Sequence, residues 1–302
     1  MELTDFQKKL VTLLPEIDLV MEEPMSKHTS FRIGGPVEVM AFPKNADELR
    51  KLLKTSALLN ITPAILGAGT NILAPDEGIR GLVICLKDCM DGMEQLDDTH
   101  IRVAAGVTMT RAALFAAGLG LSGLEFAHGI PGTVGGGVFM NAGAYGGEIC
   151  QVCRSVEVMD MDGNISTMGC SCMEFSYRHS ILEENTGIVL SAIFELEPKS
   201  QEEIRGKMAD LMNRRKTSQP LDMPSAGSAF KRPVGGYAAA LIDQAGLKDF
   251  RVGGAGVSAK HAGFVVNHGG ATAADVKDVL RMVAEKVYAD FGIRLEPEVR
   301  IW

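Results

Sequence analysis

The 302-residue chain has no run approaching the ~18 consecutive apolar residues that a membrane span requires, so it predicts no membrane partner. It also lacks an excess of positive charge, with 30 Lys and Arg against 38 Asp and Glu, a formal charge of −8. That balance repels a polyanionic backbone and argues against a nucleic-acid partner. The first residues lack the basic start, apolar centre and cleavage site of a signal peptide; Phe6, Leu10 and Ile17 instead recur at helical spacing. The expectation is a cytoplasmic protein. No GxGxxG run opens a helix, which disfavours a dinucleotide fold built on a parallel sheet. Internal repeats and low-complexity linkers are absent too.

Cysteine is present but in an unpromising pattern for metal. The CQVC pair, Cys150 and Cys153, and the CSC pair, Cys170 and Cys172, could offer four thiolates to zinc. Behind CQVC, however, Val156 and Val158 alternate with polar residues as in a strand, and reduced cysteines are commonly small buried hydrophobes. No metal is expected.

What the chain has in quantity is glycine, 34 residues, which suggests many places where backbone turns sharply or lies close to a ligand. The length favours two domains. VEVMAFP reads as a strand, and Asn45 with Glu48 caps a helix bearing Leu49, Leu52 and Leu53. PAILGAG and GLVICL read as buried strands, TMTRAALFAAGLGL as a helix after Thr108, and VCRSVEVMDMDGNIST as a hairpin turning at Asp162-Gly163. GIVLSAIFELEP is a further strand, and Pro198 closes the first half. A capping box of Ser200 and Glu203 then opens a second domain. Its last helix begins after Thr272, carries Val276, Val279, Leu280, Val283, Val287 and Phe291, and stops at Gly292. The fold class is α+β.

Several segments could carry chemistry. GAGTN, residues 67–71, follows a buried strand, and its glycines let successive amides converge on an anion; alone it is equally a plain glycine turn. Residues 129–147 contain eight glycines interrupted by Thr133, Asn141 and Tyr145, and are read as a long loop. A loop that gives up so much chain entropy points to a cofactor, the alternative being a structural Ω-loop. In FSYRHS, Arg178 is the residue type suited to bidentate capture of a carboxylate, or else it marks a strand end. Ser228 in AGSAF lacks the second glycine of a nucleophile elbow, so a turn or cap is the plainer reading. Glu296 and Glu298, two apart near the chain end, form either a solvated edge or an acid beside a cation.

Seven motifs occur in one order: HTSFRIGGP at 28–36, GAGTN at 67–71, GIPGTVGGGVFMNAGAYG at 129–146, FSYRHS at 175–180, PSAGSAFKRP at 224–233, KHAGFVVN at 260–267 and LEPEV at 295–299. Together they resemble the UDP-N-acetylenolpyruvoylglucosamine reductases over nearly the whole chain.

The resemblance implies an FAD-binding domain at 1–198, made of two α+β subdomains of the vanillyl-alcohol-oxidase kind split near 66. A smaller α+β substrate domain follows at 199–302, its last strand returning to the active site. It implies FAD as cofactor, NADPH as hydride donor and a nucleotide sugar as substrate, in a monomer that serves peptidoglycan synthesis. Arg178 and Glu298 would stabilise developing charge and Ser228 would donate a proton. Arg32, Gly67, Ala68, Gly69, Thr70, Asn71, Gly129, Pro131, Gly132, Thr133, Gly135, Gly136, Asn141, Ala142 and Gly143 would meet the flavin. The chain lacks the insertion after FELEP that carries a tyrosine clamp in some members. Tyr145, Tyr177, Arg215, Arg232, His261 and Asn267 are therefore the candidate substrate contacts. A flavin oxidase acting on a sugar or alcohol is the alternative that shares this cofactor fold.

Overall fold

In the computed structural model, which describes residues 3–302, the helices begin where the capping residues stand. The Asn45 side chain accepts the Glu48 N–H at 2.9 Å and opens Ala46–Leu58, whose Leu49, Leu52 and Leu53 are buried. Thr108 does the same for Met109–Gly118, Ser200 for Gln201–Ser218 and Thr272 for Ala273–Phe291; Gly292 ends the last at φ 69°. Among the described residues no helix is long and apolar enough to cross a membrane.

The chain forms two compact units. The first comprises the chain up to Met21, Val39–Ala68 and Gly81–Arg214, and contains two mixed layers. One is a four-stranded sheet in the order Asp18–Pro24, Pro36–Phe42, Ile79–Cys85, Ala64–Leu66, of which residues 22–24, 36–38 and 79–80 count with the second unit, with Leu10, Leu49, Leu52 and Ile84 in its core. The other is an antiparallel sheet ordered Ile165–Gly169, Cys153–Met159, Ile188–Glu195, His100–Ala104, Met93–Gln95. Its core joins Phe194 and Ile101 to Ala117 and Val138 of helices Met109–Gly118 and Val134–Phe139.

Two local expectations change. The hairpin pairs Met159 with Ile165, so its turn is the whole of 160–164; the Asp160 carboxylate accepts the N–H groups of Asp162 and Asn164, and Gly163 takes φ 85°. In the glycine-rich segment, read as loop, Val134–Phe139 is helical, with Thr133 accepting the Gly136 N–H. Close packing explains the glycines: a Cβ at Gly135 would lie 2.9 Å from the Ala105 Cβ, and one at Gly137 2.7 Å from the Met109 sulfur.

The second unit comprises Glu22–Glu38, Gly69–Arg80 and Arg215–Trp302. Strands Ser225–Ser228, Phe264–Asn267, Ala255–Val257 and Arg251–Val252 form an antiparallel sheet in that order. Val276, Val279, Leu280, Val283 and Val287 of helix Ala273–Phe291 are buried in the core, while Phe291 is 37% exposed in the last turn. Phe31, Ile33 and Leu73 lie in the same core, so packing ties the two early segments to the C-terminal region. Helix Gln201–Ser218, by contrast, sends Ile204 and Met208 into the core of the first unit, where they find Leu121 and Leu196.

Candidate active site

In the first unit the two glycine-rich loops approach each other. A Cβ at Gly67 would stand 2.9 Å from the Thr133 hydroxyl, so a side chain there would close the space between them. Thr133 is 2% exposed and Gly129 donates its N–H to the Thr110 hydroxyl at 3.2 Å. Gly129 and Gly132 take φ 88° and 133°, conformations that keep backbone rather than side chain at the surface of the loop. A flavin diphosphate needs backbone on a surface free of Cβ atoms, and Gly67, Gly129 and Gly132 fit that requirement.

Past the helix, Asn141 is 1% exposed in the left-handed region, φ 42°. Its amide donates to the Ser176 carbonyl at 3.0 Å and to a Glu148 carboxylate oxygen at 3.2 Å, and accepts the Cys150 N–H at 2.9 Å. In the structure this side chain, of a residue expected to meet the flavin, is engaged by three protein groups. Arg178 sits in a tight turn rather than after a strand: Ser176 and His179 exchange both N–H···O bonds at 3.2 Å, leaving Tyr177 and Arg178 at the tip. The guanidinium lies 5.0 Å from the Tyr177 ring centroid and donates to the Gly143 carbonyl at 3.4 Å. Tyr145 lines an open cleft of about 400 Å³ with Phe126, Gly147, Glu125 and Lys207.

In the second unit, Ser228 and Glu298 come together through backbone. Phe230 bridges Pro297, and the Glu298 N–H donates to the carbonyl of Ala229, the residue after Ser228, at 2.9 Å. Gly227, ahead of the serine, has φ 77° and no atom within 4 Å of where a Cβ would project, so a side chain there would be strained although space is open. Glu296 is the solvated partner of the pair, ion-paired to Lys231, whereas Glu298 is half-buried. Asn71 of GAGTN donates to the Glu298 carbonyl at 3.1 Å, and Ile72 and Leu73 pair in parallel with Arg300 and Ile301. Gly69 at φ 60° presses on the His28 carbonyl, where a Cβ would sit 2.0 Å away. The Ser30 hydroxyl donates to the Ser225 carbonyl at 2.6 Å. Arg32 is exposed with φ 56°.

His261 stands in the turn opposite Ser228: Phe264 pairs with Ser228 and donates its N–H to the His261 carbonyl. Burial pushes the imidazole below its ordinary range, Nδ1 accepts the Gly263 N–H at 3.1 Å, and the ring meets Phe264 edge-on at 5.0 Å. Arg232 is exposed over the Tyr237 ring at 4.4 Å. Arg215 is buried at 7% exposure and donates to Gln219. Asn267, expected to meet substrate, bonds the Phe31 carbonyl and the N–H groups of Gly269 and Ala271. A side chain so engaged fastens the early segment to the sheet.

Sequence reasoning missed Ser30, Glu148 and Ser180. All are small or common polar residues whose partners are 7 to 195 positions away, and only Ser30 and Ser180 fall inside quoted motifs.

Fold and site define a two-part α+β flavoprotein, one part carrying Gly67 and the glycine-rich segment 129–147 and the other a serine and a glutamate. Residues 37–169 match the family model described as "FAD binding domain", and residues 219–302 match "UDP-N-acetylenolpyruvoylglucosamine reductase, C-terminal domain". The reductase of Clostridioides difficile strain 630 is 45% identical over 98% of this chain and 97% of its own length; that of Caldanaerobacter subterraneus is 47% identical over 97% and 96%. The crystal structure of the Thermus caldophilus enzyme superposes with a TM-score of 0.80 at 35% identity, covering 95% of this chain and 99% of that one. The chain belongs to the UDP-N-acetylenolpyruvoylglucosamine reductases, and is an FAD-dependent oxidoreductase.

Proposed function

We propose that the enzyme uses NADPH to reduce UDP-N-acetyl-3-O-(1-carboxyvinyl)glucosamine to UDP-N-acetylmuramate, as a cytoplasmic monomer in peptidoglycan precursor synthesis. The first unit holds FAD and the second receives the nucleotide sugar. When bound, FAD supplies two-electron hydride transfer from NADPH to the enolpyruvyl double bond. The net change consumes one NADPH and one proton and saturates the carbon–carbon bond.

Hydride addition leaves negative charge delocalised toward the carboxylate, and a fixed cation or hydrogen-bond donor there lowers the barrier. Arg178 and Glu298 take that role; a glutamate can do so only as the acid, donating its proton in a hydrogen bond. Ser228 delivers its hydroxyl proton to the adjacent carbon, which is far more basic than water, and regains one from solvent. No base need stand beside the serine, because it gives a proton rather than losing one to become a nucleophile. The observation that carries the reading is the Glu298 N–H bond to Ala229, which sets the two assigned groups on neighbouring backbone.

Anaerobic stopped-flow spectroscopy separates the half-reactions. NADPH bleaches the flavin, and the enolpyruvyl nucleotide sugar restores its colour where simple alcohols do not. Ser228→Ala leaves the bleaching rate intact and slows reoxidation on the order of 10³-fold. Equal slowing of both steps assigns Ser228 a structural role and sinks the proposal.

A further inference from the structure

We infer that Asn141 and Ser180 are positioning residues for Arg178, acting as a buried clamp on the turn that carries it. The inference rests on the role of Arg178 proposed above. A guanidinium at the tip of a two-residue turn is placed only as well as the stem of that turn. Phe175 and Ile181 on either side pack against the core of the first unit, but the stem residue Ser176 is itself exposed and needs polar partners to be fixed. It is held from one side by residues 139–143 at three points. The Asn141 amide donates to the Ser176 carbonyl at 3.0 Å, the Ser180 hydroxyl donates to the Phe139 carbonyl at 2.7 Å, and the Gly143 carbonyl receives the Arg178 guanidinium at 3.4 Å.

Both clamping side chains are sealed from water, at 1% and 0% exposure, so their bonds meet no solvent competition. Asn141 itself is held in a left-handed conformation and braced by Glu148 and by the Cys150 N–H. Arg178 also has a positive φ, 58°, a conformation that a loosened stem would abandon. Misplacing a charge-stabilising group by about 1 Å costs on the order of 10²-fold in rate. The clamp therefore acts on the step that needs Arg178, through geometry and without touching substrate.

The test compares Asn141→Ala, Ser180→Ala, Arg178→Lys and the double variants of each clamp residue with Arg178→Lys, all as holoenzyme. Flavin absorption and thermal unfolding are recorded beside the two half-reactions. Each clamp variant is expected to keep the flavin spectrum, to bleach with NADPH within about twofold of the parent, and to reoxidise with substrate on the order of 10²-fold more slowly. Each double variant is expected to slow reoxidation by less than the product of its two single losses, because both substitutions act through the placement of the same cation. Ser180→Ala, which removes one oxygen, keeps the test available if Asn141→Ala does not fold. Multiplicative losses in the double variants, or unchanged reoxidation in both clamp variants, overturn the inference while leaving the Arg178 role intact. Normal reoxidation in Arg178→Lys overturns both.

Discussion

The side-chain amide of Asn71 donates to the main-chain carbonyl of Glu298 at 3.1 Å, joining a glycine loop to a residue 227 positions later. The Asn71 carbonyl in turn accepts the Arg300 N–H at 3.0 Å, so the end of the chain is fastened on both sides of Val299. Asn71→Ala removes the first bond, made to the carbonyl of half-buried Glu298. The expected loss is about 1–2 kcal/mol in urea unfolding, together with slower flavin reoxidation by substrate at an unchanged rate of NADPH bleaching. Equal effects on both half-reactions would separate Asn71 from the placement of Glu298.

Gly69 and Gly146 both take positive φ, yet they should answer differently to a methyl group. A Cβ at Gly69 meets the His28 carbonyl at 2.0 Å, whereas nothing lies within 4 Å of one at Gly146. Gly146→Ala carries only the conformational cost of about 1–2 kcal/mol. Gly69→Ala adds a backbone displacement and is expected to lose more than 4 kcal/mol, roughly the upper range for single substitutions, and to release the flavin. Urea midpoints and flavin retention on gel filtration measure the contrast.

Glu125, at 2% exposure, would have its carboxyl pushed up by burial alone, but hydrogen bonds from Ser122 and Gly123 and the Lys207 ammonium hold it below its ordinary range. A carboxyl depressed in the folded state contributes stability above its unfolded pKa, and that contribution fades as pH falls through the folded value. Glu125→Gln is therefore expected to cost about 1–3 kcal/mol at pH 7, with the gap from the parent closing below about pH 4. A gap that stays constant with pH would place the cost in shape rather than charge.

Burial pushes the Cys153 thiol up to about 12, and burial first, then the Glu148 carboxylate, pushes Cys150 up to about 11. Cys172 is exposed. At pH 8 a thiol reagent should label Cys172 first and reach Cys153 only on unfolding, so Cys172→Ser removes the fast phase.

Much of this was legible in the residues. Capping residues and apolar periodicity marked the helices at Asn45, Thr108, Ser200 and Thr272, because those signals act within a few residues of the structure they create. The same locality misled at 129–147, where glycines suggest loop but close packing on Ala105 and Met109 makes a helix, and at Asp162-Gly163, where Asp160 organises a longer turn. Glu298 could be preferred to Glu296 only by resemblance to a family; the structure distinguishes them by burial and by the Lys231 ion pair.

By itself, then, the sequence determined the α+β class, the glycine loops, the family and the residue types its chemistry requires. Which segments share a core was decided in three dimensions: Phe31 and Leu73 join the C-terminal sheet, while Ile204 and Met208, far along the chain, join the first unit. So were the long-range bonds of Asn71, Asn141, Ser180 and Asn267, which fasten segments far apart in the chain to one another. The physical reason is that a cap or a periodic stripe is a property of neighbouring residues. The partner of a buried amide or hydroxyl is whichever backbone group the folded chain brings within 3 Å, a distance that no spacing along the sequence encodes.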